Sequence, residues 1–333
     1  MRIFLYEYTS AQPQENTGAL HAEGWAMLQS AAEDFCKIPG VETMTLLDER
    51  TPRQLGHSCR RISKEQEEEV FRQLAGEADF TLVIAPEFDD ILPERCRWVL
   101  EAGGRLLGPG PEAIAAAADK FDLAGRLTPP AILLPKSHQL SRSQQNLFPG
   151  VIKPRFGAGS QATFLVRSAN DLEGKLAFAR KEMPGAEFIL QEFVPGLPAS
   201  VAFLMGTKAG LALLPAAQHI SSDGRFRYQG GEAPLPAGLA KRAIDLAGRT
   251  LAAVPGLLGY IGVDLILGDA TDGSQDSVIE INPRFTTSYI GLRQLARNNL
   301  AGALLDLMTG NEVTTLEWRF GKVRFRADGT LLP

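Results

Sequence analysis

Two stretches late in the chain, Gly259-Tyr-Ile-Gly-Val-Asp-Leu-Ile-Leu267 and Val278-Ile-Glu-Ile-Asn-Pro-Arg284, put charge where a buried strand normally carries valine or leucine. Both are apolar runs of strand length. The polar, glycine-containing segment 268–276 between them reads as the turn of an antiparallel hairpin. Side chains alternate along a strand, so Val278, Glu280 and Asn282 are expected on one face and Ile279 and Ile281 on the other. Asp264, the sole charge of the first run, then stands beside Glu280. An uncompensated buried carboxylate is strongly disfavoured, and two side by side repel. A divalent cation resolves both problems. Oxygen ligands without His or Cys suit Mg²⁺, which usually reaches a protein through one or two carboxylates plus nucleotide phosphates; Mn²⁺ is an admissible substitute. Asp264, Glu280 and Asn282 are therefore the expected metal ligands. A surface hairpin bearing a few acids competes with this reading, but the flanking apolar runs argue against exposure.

Upstream, Val151-Ile-Lys-Pro-Arg-Phe-Gly-Ala-Gly-Ser-Gln-Ala162 is a short apolar strand that delivers Lys153 to the mouth of a glycine-containing loop. Gly157 and Gly159 let backbone amides approach an anion, and Ser160 and Gln161 add donors. The loop also fits a GxGxxA dinucleotide pattern. The next residues, Thr163-Phe-Leu-Val166, are β-branched and apolar rather than helical, so that pattern is rejected. No GxxxxGK[ST] stretch occurs.

A lysine with a glycine loop, followed by Asp264 and then Glu280-Ile-Asn282-Pro-Arg284, resembles the ATP-grasp superfamily, whose members activate carboxylates by phosphorylation. The resemblance implies the cofactors ATP and Mg²⁺. It implies that Phe188-Ile-Leu-Gln-Glu-Phe-Val-Pro-Gly196 is the hinge that reads adenine, through backbone groups of Glu192, Phe193 and Val194 with Gln191 assisting. It implies that Lys120, closing the helix-forming stretch Ala115-Ala-Ala-Ala-Asp-Lys120, is a second phosphate-binding lysine, although a solvated helix-end lysine would look the same. No acidic residue follows the hinge in Leu197-Pro-Ala-Ser200, so ribose contacts stay unassigned.

The first part of the chain alternates short apolar runs, Arg2 to Tyr8, Val41 to Leu47 and Phe80 to Ala85, with helix-compatible stretches, Leu20 to Cys36 and Glu65 to Leu74. That is a βαβ pattern. A helix from Pro93 to Ala102 and a strand in Arg105-Leu-Leu-Gly-Pro-Gly110 are expected next. The fold class is thus α/β, becoming α+β in the ATP-grasp part. The resemblance implies that residues 1–110 form an open parallel, Rossmann-like pre-ATP-grasp sheet, followed by an ATP-grasp lid subdomain over 111–192. It also implies that residues 193–310 carry the metal site, with ATP between antiparallel sheets, and that 311–333 are a tail packed on the core. Loops at the carboxyl ends of parallel strands bind ligands. Glu7, with Thr9 and Ser10, lies at the first such end and Glu87, Asp89 and Asp90 at the third, as substrate candidates or ordinary loop residues. Ser200 to Met205 and Ala209 to Gln218 should pair before a helix in Pro234 to Val254. Between them, 219–231 reads as a long polar loop whose Arg225 and Arg227 suit a substrate carboxylate, because guanidinium makes paired hydrogen bonds to it. Leu304, Leu305, Leu307 and Met308 recur at helical spacing and read as core.

At 333 residues the chain suits two or three domains. Its 34 basic and 39 acidic residues, with no basic stripe, give no electrostatic case for nucleic acid. The apolar stretches fall well short of the ~20 residues of a membrane helix. The start reads as a strand rather than a signal peptide, and Cys36, Cys59 and Cys96 are widely spaced, so a cytoplasmic enzyme with free thiols is expected. The partners expected are small molecules, an amino acid and an amine, and the reading leaves room for a homodimer.

Lys153, Lys120 and the loop would hold ATP, and Arg284 would stabilise the transferring phosphoryl group, making Lys153 and Arg284 the expected catalytic residues. The product is an acyl phosphate that an amine attacks. Ile3-Phe-Leu-Tyr-Glu-Tyr-Thr-Ser10 together with these blocks is similar to the tyramine–glutamate ligases of methanofuran biosynthesis and their relatives in one-carbon metabolism, implying a γ-glutamyl amide product. An ATP-grasp ligase for other amino acids or peptides, and a non-catalytic nucleotide sensor, are the alternatives at this point.

Overall fold

The computed structural model describes residues 1–12, 18–126, 131–133, 147–313 and 315–333. Its first sheet contains β1 (Arg2–Glu7), β2 (Glu42–Asp48), β3 (Ser58–Ile62) and β4 (Phe80–Ile84), all parallel in the order β3-β2-β1-β4. Alternation sends Ile3 and Leu5 of β1 into one apolar cluster and Phe4 and Tyr6 into another, so the sheet is covered on both faces. Helix Gly18–Phe35 covers the first face; Glu67–Glu77 and Ile91–Glu101 cover the second. The sequence reading missed β3, because Ser-Cys-Arg-Arg-Ile lacks an apolar run; its charge suits an edge strand. The strand expected at 105–110 is reduced to a single parallel bridge between Thr81 and Leu106, since glycine pairs and Pro109 interrupt the ladder on either side.

A second, antiparallel sheet holds β5 (Ala131–Leu133), β6 (Gly150–Pro154), β7 (Phe164–Val166) and β8 (Phe188–Glu192) in the order β5-β8-β6-β7, backed by helix Ala169–Glu182. The third sheet has eight strands: β9 (Leu197–Met205), β10 (Gly210–Ala212), β11 (Ala216–Ile220), β12 (Tyr228–Ala233), β13 (Gly259–Leu267), β14 (Ser277–Asn282), β15 (Val323–Arg326) and β16 (Leu331–Leu332). Their order is β14-β13-β9-β11-β12-β15-β16, and β10 also pairs with β9. The stretch read as a loop over 219–231 is shorter than expected. Strand β11 runs on to Ile220 and pairs with Tyr228 across a bulge, leaving 221–227 as the connection. The final residues are more than a tail, because β15 and β16 extend this sheet and bury Phe325.

Helix Ala237–Ala252 covers one face of the large sheet, and helices Ser288–Leu295 and Leu300–Met308 cover the other. The second pair shares one core with helix Gly18–Phe35 and the first sheet. Asp34 closes that seam. It accepts from Arg293 at 2.6 and 2.8 Å and from the Tyr289 hydroxyl at 2.9 Å, while the Asn299 amide donates to its carbonyl at 2.7 Å. Among the described residues no helix is long and apolar enough to cross a membrane, and Cys36, Cys59 and Cys96 are free thiols.

Gly24 sets how closely helix Gly18–Phe35 approaches β1. A Cβ there would lie 2.3 Å from Oε1 of Glu7. That carboxylate cannot swing away freely, since it accepts from the amides and hydroxyls of Thr9 and Ser10. Gly24→Ala should therefore destabilise the protein by about 1–3 kcal/mol, as overpacking does, outweighing the roughly 1 kcal/mol that alanine gains in a helix. A urea midpoint equal to or above that of the parent would contradict this contact.

Candidate active site

A cavity of about 520 Å³ opens between the second and third sheets, and residues from the whole length of the chain meet there. Lys153 reaches it from β6. Burial lowers its pKa to about 8, Lys120 pushes the same way, and Glu280 and Asp264 oppose. Lys120 lies somewhere other than the sequence suggests. Helix Pro111–Ala118 ends before it, Asp119 is extended, and Lys120 opens a second helix, Lys120–Arg126. Asp119 is the reason: its carboxylate accepts from the amides of Phe121 and Asp122, as helix-starting aspartates do, and pairs with Arg155 at 2.6 Å. This tie holds Lys120 Nζ 2.8 Å from the Gly157 carbonyl and 3.1 Å from Oε2 of Glu280.

Asp264 and Glu280 are cross-strand partners on β13 and β14. Between Asp264 and Leu265 the register slips by one residue, so the expected alternation fails at Ile279. Val278 and Ile281 both enter the core, whereas Ile279, Glu280 and Asn282 all face the cavity. Asp264 accepts from Gln218 at 2.8 Å and from the Asn282 amide at 3.0 Å. Burial, and then the charge of Glu280, raise its proton affinity. Glu280 moves the other way: burial pushes its pKa up, yet Lys120 and Lys153 hold it below the usual carboxylate range. Gathered hard oxygens with one proton too many are a fair donor set for a divalent cation. Among the described residues no group of three or more His, Cys, Asp or Glu could hold a metal. The set thus fits an ion shared with phosphate oxygens and does not fit a closed protein cage.

In the glycine loop, Gly159, Ser160 and Ala162 adopt positive φ of 64°, 56° and 48°. This curls the loop so that the amides of Ala158, Gly159 and Ser160 have no partner among the described residues. The Ser160 hydroxyl, expected as an anion donor, donates instead to the Phe226 carbonyl at 2.8 Å and pins the 221–227 connection over the cavity. At the hinge, Gln191 is buried at the cavity wall. The expected backbone set narrows, because the Phe193 amide already donates to the Pro149 carbonyl at 2.9 Å. Its ring faces the cavity, 6.1 Å from that of Phe226.

Arg284 is half-buried at the cavity wall, its Nε 3.0 Å from Oε1 of Glu87. Three substrate candidates are not brought there. Arg225 pairs with Glu182 at 2.7 Å and stacks on Phe164 at 4.1 Å. Arg227 is exposed and pairs with Asp223 at 3.3 Å. Glu7 is buried as the cap of the turn Tyr8–Ala11 and lies against Gly24. Each has a closer partner within the protein. The sequence reading missed Glu23 and Met27 on helix Gly18–Phe35, Gln218, Tyr228, and the segment 286–288, all of which line the cavity. Gln218 could have been noticed as a polar residue in an apolar strand; Glu23 carries no local signal.

The family model described as the ATP-grasp domain matches residues 117–288, and that of a pre-ATP-grasp domain matches 41–114. The chain belongs to the ATP-grasp family. It is an ATP-dependent ligase that forms carbon–nitrogen bonds. This ATP-grasp chain is 26% identical to the tyramine–L-glutamate ligase of Methanocaldococcus fervens, over 94% of this chain and 96% of that one. It is 28% identical to the namesake from Methanocaldococcus jannaschii, over 87% and 84%. Among solved structures, an ATP-grasp superfamily protein from Archaeoglobus fulgidus superposes with a TM-score of 0.73 at 25% identity, covering 98% of this chain and 92% of the other.

Proposed function

We propose that the protein phosphorylates the side-chain carboxylate of glutamate with ATP and joins the acyl phosphate to tyramine or a close aromatic amine. The product is a γ-glutamyl amide of a methanofuran-type biosynthesis. The observation that carries this reading is the likeness to two tyramine–L-glutamate ligases along nearly the whole chain. The cavity supports it by gathering Lys120, Lys153, Asp264, Glu280, Asn282 and Arg284.

Lys153, Lys120 and the amides of the 157–160 loop take the phosphates. Gln191, the backbone of Glu192 and Val194, and the rings of Phe193 and Phe226 take adenine. Asp264, Glu280 and Asn282 would hold Mg²⁺, which neutralises phosphate charge when bound. The acid's oxygen attacks the terminal phosphorus and the P–O bond to ADP breaks, with ADP keeping the electron pair. Arg284, fixed by Glu87, stands as the cation for the transferring group. The amine nitrogen then attacks the acyl carbon, the bond to the phosphate oxygen breaks, and phosphate departs.

With glutamate and Mg-ATP, ADP should accumulate over many turnovers only when an amine such as tyramine is also supplied, and mass spectrometry should find the γ-amide. ADP release no faster than without glutamate rejects glutamate. Release on exchanging it for another amino acid moves the same chemistry to that acid.

A further inference from the structure

Glu23 has no task in holding ATP. It projects from helix Gly18–Phe35 into the cavity, and its carboxylate has no hydrogen-bond partner among the described residues. Its position is set from below, because the next residue, Gly24, is wedged against the fixed carboxylate of Glu7. Among the described residues the other carboxylates on the cavity wall are accounted for: Asp264 and Glu280 face each other and the lysines, and Glu192 is exposed at the hinge. Burial pushes Glu23 up to about 7, while the charge of Arg284 pulls it down. A half-buried carboxylate without a hydrogen-bond partner is best satisfied by a proton or by a cation. The same cavity wall carries Met27, one turn further along the same helix, the half-buried ring of Tyr228, which the charge of Glu23 reaches and Thr287 hydrogen-bonds, and Ser288. An anion set among apolar and aromatic surface matches a primary ammonium carried on an apolar body.

The geometry points to Glu23 as the anchor of the incoming amine, binding its ammonium group and accepting its proton. This inference rests on the ligase reading above and assigns one more residue to the same site. R–NH₃⁺ gives one proton to the Glu23 carboxylate, and the freed lone pair attacks the acyl phosphate carbon. The C–O bond to phosphate breaks, phosphate leaves with the electron pair, and it takes the second nitrogen proton.

The test compares the parent with Glu23→Gln and Glu23→Asp in Mg-ATP and glutamate, using tyramine or hydroxylamine, a nucleophile that is uncharged at neutral pH. Glu23→Gln should raise the tyramine KM by at least about 30-fold and lower kcat, as expected for a lost charge-assisted hydrogen bond. Hydroxamate formation and the ATP KM should change no more than about threefold, and aspartate should restore part of the tyramine rate. An unchanged tyramine KM, or equal losses with both nucleophiles, overturns the assignment. A second readout does not depend on glutamate. Parent protein loaded with a non-hydrolysable Mg-ATP analogue should melt higher with tyramine than with 4-ethylphenol, which lacks the ammonium, and Glu23→Gln should not. No such difference in the parent, across tyramine, histamine and putrescine, overturns the anchor. The difference without turnover on glutamate rejects only the choice of acid.

Discussion

Glu280→Gln is expected to slow ADP release on the order of 10³-fold, the scale on which a charge at a phosphoryl-transfer centre acts, while the nucleotide-free protein melts no lower than its parent. The two halves have one cause. Glu280 is the carboxylate that Lys120 and Lys153 keep ionised beside a neighbour that burial and Glu280 itself keep protonated. Glutamine still accepts from Lys120 Nζ but removes the repulsion, so Asp264 ionises at lower pH and becomes the counter-charge for both lysines. The pH dependence has a definite sign. A carboxyl whose folded pKa lies above its unfolded one stabilises the fold fully below the unfolded value, and that contribution is lost as pH rises through the folded value. Between the ordinary aspartate range and the raised value of Asp264, the parent therefore loses stability as pH rises. In Glu280→Gln this slope should flatten. Thermal melts from pH 4 to 8 with a Mg²⁺ titration of turnover check both halves, and an unchanged Mg²⁺ dependence would remove Glu280 from the metal site.

Lys153→Met should weaken nucleotide binding by roughly 100-fold or more, since it deletes a charged contact to phosphate in a dry site. Its effect on the empty protein has the opposite sense. The lysine's folded pKa of about 8 lies below its ordinary value. Well above the ordinary value the group is neutral in both states and changes nothing. As pH falls from the ordinary value towards 8 the unfolded chain takes up the proton and the folded one does not, so the folded state is progressively penalised, and below 8 that penalty is fully present. Methionine keeps the aliphatic stem without the charge. At pH 7 the variant should melt at or above the parent, and the rise in melting temperature that the ATP analogue gives the parent should vanish. Calorimetric titration settles the first expectation and a melting curve the second.

Legible in the residues taken in order was whatever local pattern dictates. The hairpin of β13 and β14 announced itself by charge inside apolar runs, and Lys153 by the loop after it. Long-range packing was silent. The slip at Ile279 leaves an uninterrupted alternating string, so nothing in Val-Ile-Glu-Ile-Asn shows which isoleucine faces the cavity. Arg225 and Arg227 looked available because Glu182 and Asp223 became their partners only on folding. Lys120 was assigned to the wrong end of a helix because four alanines before it favour continuation, whereas the Asp119 cap starts anew. Glu23 lies far from every motif and joins them only because its helix packs across the seam.

That seam has a consequence for anyone dissecting the molecule. Ile3, Leu5, Leu28 and Phe35 belong to the same apolar cluster as Tyr260, Phe285, Tyr289 and Leu304. Clipping the chain after the Rossmann-like third would not liberate a miniature catalyst. It would strip the roof from the β13–β9 platform, strand Arg293 without its anion, and leave the remainder sticky and missing one wall of its own reaction chamber.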